Sequence, residues 1–272
     1  MVEVRVARVG AIVAPFCAKS QGPGAKEVTD KLCSCIFSGP ARIMRATLVT
    51  NGAATSRSLL WCYHGIVPSD DWTRARDGFD QAVRWFMRSV PEGEGRWEEL
   101  ALGEWSVRDL VGHTSRAMLT VEAYLGTPAS EAEVTSAVDY FRRVLASSGD
   151  PAAVAQRGRD AGAALGEDPA GAVGEIAERV LARLHGESGD ALLTTPAGGM
   201  RLADYLPTRT FELTVHTCDL AAALGAPLGV PDLAAAETLE VLGGLASRDN
   251  LAGTLLLAAT GRRPLPAGFS VL

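Results

Sequence analysis

The chain has 272 residues with a net charge of −6, and 47% of its residues are hydrophobic while 21% are charged. This balance indicates a globular protein with a full core, and the acidic charge argues against a general nucleic-acid-binding protein. No segment approaches the about 20 uninterrupted apolar residues that cross a bilayer, and no signal peptide is recognisable, so a cytoplasmic protein without a membrane partner is expected.

The composition changes near residue 68. All three lysines (Lys19, Lys26, Lys31) precede it, and residues 1–68 hold eight basic and three acidic side chains. Because residues 1–68 show little periodicity of either kind, they are expected to be a poorly ordered extension, or the product of a start codon assigned too far upstream. The predicted folded domain is 69–272, and its lysine-free, arginine-rich composition is typical of a very G+C-rich, actinobacterial-like genome.

From Asp71 onward, apolar residues recur at three- and four-residue steps, as in amphipathic helices. The first predicted helix covers 71–90. A second begins in "WSVRDLVGHTSRAMLTVEAYL", where Ser106 and Asp109 have the spacing of a capping box with a shorter acid. A third is predicted over 133–146, and 147–171 is predicted to be a turn-rich connection with weak helical character.

The stretch "PAGAVGEIAERVLARLHGE" predicts the next helix, and another is predicted from Thr208 to Leu224, with Pro207 at its first turn and Gly225 closing it. Two more short helices are predicted over 232–246 and 250–259. No strand is predicted in 69–272, because alternating apolar runs bounded by turns are missing. These elements indicate an all-α helical bundle.

A carboxylate and an imidazole lie four residues apart in "FELTVHTCDL", at Glu212 and His216. Four steps along a helix bring the two side chains within about 40° on one face. His113 lies on the apolar stripe of the second predicted helix and is expected to point into the bundle. Two histidines and one carboxylate match a catalytic zinc site, and other divalent metals accept a similar set. The spacing alone also fits a hydrogen-bonded core histidine and a solvated Glu–His pair.

Two motifs, "GEWSVRDLVGHTSRAML" and "RTFELTVHTCDLAAALG", resemble the metal-binding domain of the mycothiol-dependent maleylpyruvate isomerase family, within the DinB-like superfamily. The resemblance covers about 72–225. It implies a DinB-like four-helix bundle, to which the short C-terminal helices are additional. It also implies that His113, Glu212 and His216 are the metal ligands, and that Arg209 and Asp219 match the arginine and aspartate of the family pattern.

The resemblance further implies a function. Family members often use mycothiol as co-substrate, and a divalent metal, with zinc expected, would stabilise its thiolate. The thiolate can add to a small-molecule electrophile, as in a transferase, or add and leave again, as in an isomerase. Asp219 is expected to orient His216 or to be a surface acid, and Arg209 to receive a substrate carboxylate or to form a surface ion pair.

The sequence departs from the family pattern, and this limits which properties of the family are expected of the chain. Only 47 residues follow Gly225, so the further α/β domain of the isomerase is not expected and maleylpyruvate is not assigned as the substrate. The alternative function is a non-catalytic metal-binding or interaction protein on the same bundle. The expected partners are a thiol, a small-molecule electrophile and a second copy in a homodimer.

Overall fold

The computed structural model describes residues 46–50, 53–57, 71–147 and 151–272, and these contain eight α-helices and six short strands. The helices are α1 (Asp71–Ser89), α2 (Val107–Leu125), α3 (Ala137–Ser147), α4 (Pro151–Ala164), α5 (Pro169–Leu184), α6 (Leu202–Leu224), α7 (Asp232–Arg248) and α8 (Ala252–Ala259). The strands are β1 (Ala46–Thr50), β2 (Ala53–Arg57), β3 (Leu100–Leu102), β4 (Trp105–Ser106), β5 (Leu192–Thr195) and β6 (Gly198–Arg201). A short 3-10 helix, Val90–Gly93, follows α1.

The chain divides into two compact units, Met1–Val67 and Pro68–Leu272. In the first unit the described residues form one antiparallel hairpin, in which β1 pairs with β2 and Ala46 lies opposite Arg57. The remainder of residues 1–68 lies outside the described residues. The expectation that 1–68 is a poorly ordered or misassigned extension of a 69–272 domain therefore stays a prediction.

The second unit is built around four helices, because α1 and α2 each pack against both α5 and α6. Large apolar side chains from these helices fill the space between them, and they include Phe79, Phe86, Leu110, Met118, Leu184 and Leu213. Outside this bundle α4 packs on α2, α7 packs on α1 and α6, and α8 contacts α7. The predicted all-α bundle is confirmed, and none of the described helices is long and apolar enough to span a membrane.

The expectation that 69–272 lacks strands is wrong, since β3 pairs with β4 and β5 with β6 in two antiparallel hairpins. These strands are two to four residues long, too short to show an alternating apolar pattern. Gly103 (φ 58°) and Gly198 (φ 121°) supply the backbone conformations that the hairpin turns need. The first hairpin places Trp105 directly before α2.

The segment predicted as a turn-rich connection contains the helix α4 instead. Its glycines lower the helix propensity that sequence reasoning relies on, but they allow α4 to pack closely on α2. A Cβ on Gly112 of α2 would overlap the backbone of Ala161 and Gly162, and a Cβ on Gly162 would crowd Arg108 and Asp109. The close packing of α4 on α2 that these glycines allow therefore offsets their low helix propensity.

Several predicted helix boundaries shift in the structure. The predicted capping box is present, because Ser106 accepts a hydrogen bond from the Asp109 backbone and Asp109 accepts one from Ser106. The helix predicted from Thr208 begins at Leu202, directly after β6, so Pro207 lies inside α6 rather than in its first turn. In that first turn Asp204 pairs with Arg201, which stabilises the earlier start.

Candidate metal centre

Helices α2 and α6 pack together and bring the three predicted ligand residues to one place. His113 comes from α2, while Glu212 and His216 come from α6, and one donor atom of each lies within 4.8 Å of the others. Glu212 Oε2 lies 3.4 Å from His216 Nε2. The rings of His113 and His216 meet edge to face, with centroids 4.9 Å apart.

The environment of His113 keeps its imidazole neutral. Burial, followed by the positive charge of His216, lowers the pKa of His113 to about 4. Its Nδ1 atom is buried without a hydrogen-bond partner among the described residues. A buried polar atom of this kind is unfavourable unless a ligand satisfies it, and a neutral imidazole is the form that binds metals.

His216 has the opposite electrostatic character. Burial favours its neutral form, but the hydrogen bond with Asp219 and the nearby Glu212 outweigh burial and raise the pKa of His216 to about 9. His216 Nδ1 lies 3.0 Å from Asp219 Oδ2. Asp219 thereby fixes the orientation of the ring and leaves Nε2 directed at Glu212, and metal-ligating histidines are commonly held in this way by a carboxylate on their other ring nitrogen.

Glu212 is ionised throughout the physiological range. Burial would raise the pKa of its carboxyl, but the hydrogen bond to His216 and the charge of Arg209 prevail and lower it to about 2. The site thus combines a carboxylate, a neutral imidazole with an unpaired nitrogen and a second imidazole oriented by an aspartate. This donor set fits a divalent metal of the zinc type.

Trp105 packs against His113, a role that sequence reasoning did not assign. The two rings are 4.4 Å apart at an angle of 34°, and the indole Nε1–H donates a hydrogen bond of 2.9 Å to the Ala155 carbonyl. Gly158 leaves room for the indole, because a Cβ there would overlap it. The signal in the sequence was a tryptophan just ahead of the capping residue, but only the position of α4 reveals what it contacts.

Arg209 lies in α6, and only 9% of the residue is exposed. Its guanidinium carbon is 5.3 Å from the centre of the Tyr140 ring and 5.1 Å from that of Tyr205, and its Nε–H donates to Thr208 Oγ1. Although burial alone would lower it, the net shift in the pKa of Arg209 is upward, with the two tyrosines and Glu212 favouring the charged form. The expected alternative of a surface ion pair is not observed among the described residues.

A cavity of about 1080 Å³ opens beside the three ligand residues. His113 and Glu212 line it together with Arg209, and two further arginines, Arg116 and Arg157, lie on its wall. Sequence reasoning missed both of these. Arg116 was detectable in principle, since it follows His113 by three residues and therefore shares its helix face, whereas Arg157 belongs to the helix that was not predicted.

Among the comparisons with known proteins, the one that finds a match is with a family model, and it includes the three residues of this site. No curated protein and no solved structure matches the chain. The family model described as "Mycothiol maleylpyruvate isomerase N-terminal domain" matches residues 79–221, which is more than half of the chain and includes the whole His113, Glu212 and His216 cluster. The chain therefore belongs to the mycothiol maleylpyruvate isomerase N-terminal domain family.

Proposed function

We propose that the protein is a metal-dependent enzyme that uses a low-molecular-weight thiol, mycothiol, to attack a small-molecule electrophile, as a transferase or an isomerase. The observation that carries this proposal is the convergence of His113, Glu212 and His216 within 4.8 Å, where His113 and Glu212 line a cavity of about 1080 Å³. A pocket of this size admits a thiol and a second small molecule together.

His113, Glu212 and His216 are the residues that would hold the metal. A divalent cation bound there, with zinc the best match to two imidazoles and a carboxylate, would lower the pKa of a thiol so that the thiolate is available at neutral pH. Asp219 keeps His216 oriented through its 3.0 Å contact with Nδ1. Trp105 holds the His113 ring from the side of β4.

The cavity walls divide into an apolar and a cationic part. Ala117 and Phe141 are buried apolar residues on the wall, and they exclude water from the reacting thiol. Arg209, Arg116 and Arg157 supply positive charge, which favours both a thiolate and an anionic substrate group.

The covalent chemistry needs no oxidant or reductant. The thiol loses its proton to solvent, its sulfur forms a bond to an alkene carbon of the electrophile, and the π electrons move to the neighbouring carbon, which takes up a proton. The product of this addition is a conjugate. If rotation about the former double bond instead precedes protonation of that carbon, the electron pair reforms the double bond as the C–S bond breaks. The thiolate leaves and takes up a proton from solvent, so the thiol is regenerated and the alkene has changed geometry.

The metal site is tested first. Purified full-length protein is expected to contain about one divalent metal per chain, and His113→Ala or His216→Ala should lose most of it. His185→Ala is the matched control, because His185 is an exposed histidine whose Nδ1 contacts the carbonyl of Leu181. A metal content that is absent, or that survives both ligand substitutions, contradicts the proposal.

Activity is tested on the metal-loaded protein with mycothiol and a panel of thiol-reactive electrophiles. Conjugation or isomerisation faster than the uncatalysed reaction, lost in His216→Ala and retained in His185→Ala, is expected. If the metal is present but no electrophile reacts faster than in buffer, the enzyme proposal is wrong and a non-catalytic metal-binding protein is the function that remains.

A further inference from the structure

A second cavity, of about 370 Å³, lies between α2, α4 and α5. Its wall combines two arginines, Arg116 on α2 and Arg157 on α4, with apolar side chains that include Leu119 and Ile176. We propose that this cavity binds a small amphipathic anion, with its charged group at the two arginines and its apolar body against Leu119 and Ile176. The thiol chemistry proposed above does not use this site, so the two proposals are independent.

Arg116 and Arg157 line this cavity and form no ion pair with a described residue. By contrast Arg159, two positions further along α4, lies 3.0 Å from Glu104. Arg116 is half-buried, and cations that are shielded from water are normally paired. Because a guanidinium donates in a planar fork that matches the oxygens of carboxylate, sulfonate and phosphate groups, two unpaired arginines on one wall supply the donors that an anion needs.

The same wall carries one carboxylate, that of Asp160. Asp160 is exposed, and its Oδ1 accepts a hydrogen bond of 2.7 Å from Gln156 Nε2. Two arginines against one aspartate leave the lining of the cavity with a net positive charge. The charge of the wall therefore favours an anion over a neutral or cationic ligand.

The apolar part of the wall sets the size of the ligand. Leu165 is buried, and Leu119 and Ile176 are half-buried. Gly112 also lines the cavity, at a point where a Cβ would overlap the backbone of Ala161 and α2 therefore touches α4. A volume of about 370 Å³ is at the lower end of the range for ligand pockets. The expected ligand thus has a short hydrocarbon body, of about six carbons, and one anionic group.

Ile176 can report which cavity a ligand occupies. Arg116 and Arg157 also line the larger cavity beside the metal ligands, so substituting either arginine would affect an anion in both places. Ile176 lines the second cavity and not the larger one, and the other four isoleucines of the chain all precede residue 68. In protein labelled at the isoleucine δ1 methyl groups, the resonance of Ile176 is therefore a specific probe, and Ile176→Val identifies it.

Binding is tested by titrating 1-hexanesulfonate into labelled, metal-loaded, full-length protein and following the Ile176 methyl resonance by NMR. A sulfonate is used because it is a poorer zinc ligand than a carboxylate. We expect a saturable shift, with an affinity at least about tenfold higher than for 1-hexanol or methanesulfonate, each of which lacks one half of the probe. Arg157→Met should weaken binding about fivefold. Arg159→Met, on the same helix but outside the cavity, should leave the affinity unchanged.

A matched pair of leucine substitutions locates the apolar body of the probe. Leu119 lines only the second of these two cavities and Leu145 only the larger one. Leu119→Gln should weaken binding at least about fivefold, whereas Leu145→Gln should not. A loss of affinity in Leu145→Gln without one in Leu119→Gln would place the ligand in the larger cavity and overturn the proposal.

Two further results bear on the proposal without relying on a substitution in this cavity. If the Ile176 resonance does not move with 1-hexanesulfonate, or if 1-hexanol binds as tightly, the proposal is wrong. The shift should persist in His113→Ala, because the metal centre takes no part in binding. A shift that is lost in folded His113→Ala would mean that the probe reports on the metal centre, and it would contradict a separate anion site.

Discussion

Asp219 Oδ2 lies 3.0 Å from His216 Nδ1, while the other ring nitrogen of His216 lies 3.4 Å from Glu212 Oε2. The imidazole is thus held between two carboxylates, which raise its pKa to about 9 against the opposing effect of burial. A metal that binds at Nε2 must displace the proton there, while the hydrogen bond from Nδ1 to Asp219 stays in place. Metal binding and the protonation of His216 are therefore linked.

We expect the apparent zinc affinity to increase about tenfold per pH unit between about pH 6 and about pH 8, because one proton is released per metal bound. In this range His113 is neutral and Glu212 is ionised, since their pKa values are about 4 and about 2. His216 alone must lose a proton. Competition with a chromophoric chelator at several pH values measures the slope, and an affinity independent of pH would contradict the linkage.

Replacing Asp219 with asparagine should distinguish two effects of this carboxylate on zinc binding: it orients the His216 ring, and its charge raises the pKa of His216. Asp219→Asn removes a carboxylate that raises the pKa of His216, so that pKa should fall and zinc binding should depend less on pH near neutrality. Because the ring also loses its orienting charge, the affinity at about pH 9, where the proton reduces zinc binding only about twofold, should drop about 10- to 100-fold. Asp204→Asn, which removes an ion pair with Arg201 at the start of the same helix, should leave both quantities unchanged.

The helical part of the site could be predicted from the sequence because its geometry is local. The spacing of Glu212 and His216 fixes their relative position once they lie in a helix, and the capping residues located the start of α2. Trp105 and Arg157 could not be assigned in the same way. Their roles depend on the packing of α4 on α2, and the glycines that permit this packing are the residues that weakened the prediction of α4.

The short hairpins were missed for a related reason. Strands of two to four residues carry too few positions to show alternation, and their turns depend on single glycines. The early start of α6 likewise follows from its junction with β6, where Arg201 pairs with Asp204. Contacts of this kind between neighbouring elements have only a weak effect on the spacing of apolar residues along the chain.

The burial of Glu237 predicts that the stability of the protein depends on pH, independently of the metal site. It lies in α7, its side chain is 5% exposed, and its nearest cation is Arg74, at 3.7 Å. Burial raises the pKa of Glu237 to about 7, against the opposing charge of Arg74, and its Oε2 has no hydrogen-bond partner among the described residues. The folded protein therefore favours the protonated carboxyl.

The sign of the effect follows from proton linkage. Since the folded pKa exceeds the unfolded value of 4.5, the contribution of Glu237 to stability is fully present below about pH 4.5 and is lost as pH rises through about 7. Glu237→Gln should therefore be more stable than the unaltered protein at about pH 8, by up to roughly 3 kcal/mol, with no gain at about pH 4. Urea denaturation at both pH values tests this. Glu240→Gln, an exposed partner of Arg74, is the control and should show no such difference.

Gly158 links the packing of α4 to the metal site through Trp105. A Cβ at this position would overlap the indole ring, which stacks on His113 at 4.4 Å and is held by the Ala155 carbonyl. Gly158→Ala should improve the helix propensity of α4 by about 1 kcal/mol, but it should displace Trp105, and the overpacking should exceed that gain by about 1–2 kcal/mol. Because the His113 ring loses its support, zinc affinity should fall as well.

Gly174→Ala provides the matched comparison, because Gly174 lies in α5 and a Cβ there meets no atom within 4 Å. This variant should gain up to about 1 kcal/mol of stability from propensity alone and should keep its zinc affinity. Thermal denaturation and zinc competition on both variants give the two readouts. If Gly158→Ala is as stable as Gly174→Ala and binds zinc equally well, then the indole does not transmit the packing of α4 to His113, and the orientation of that ring must come from α2 and His216 alone.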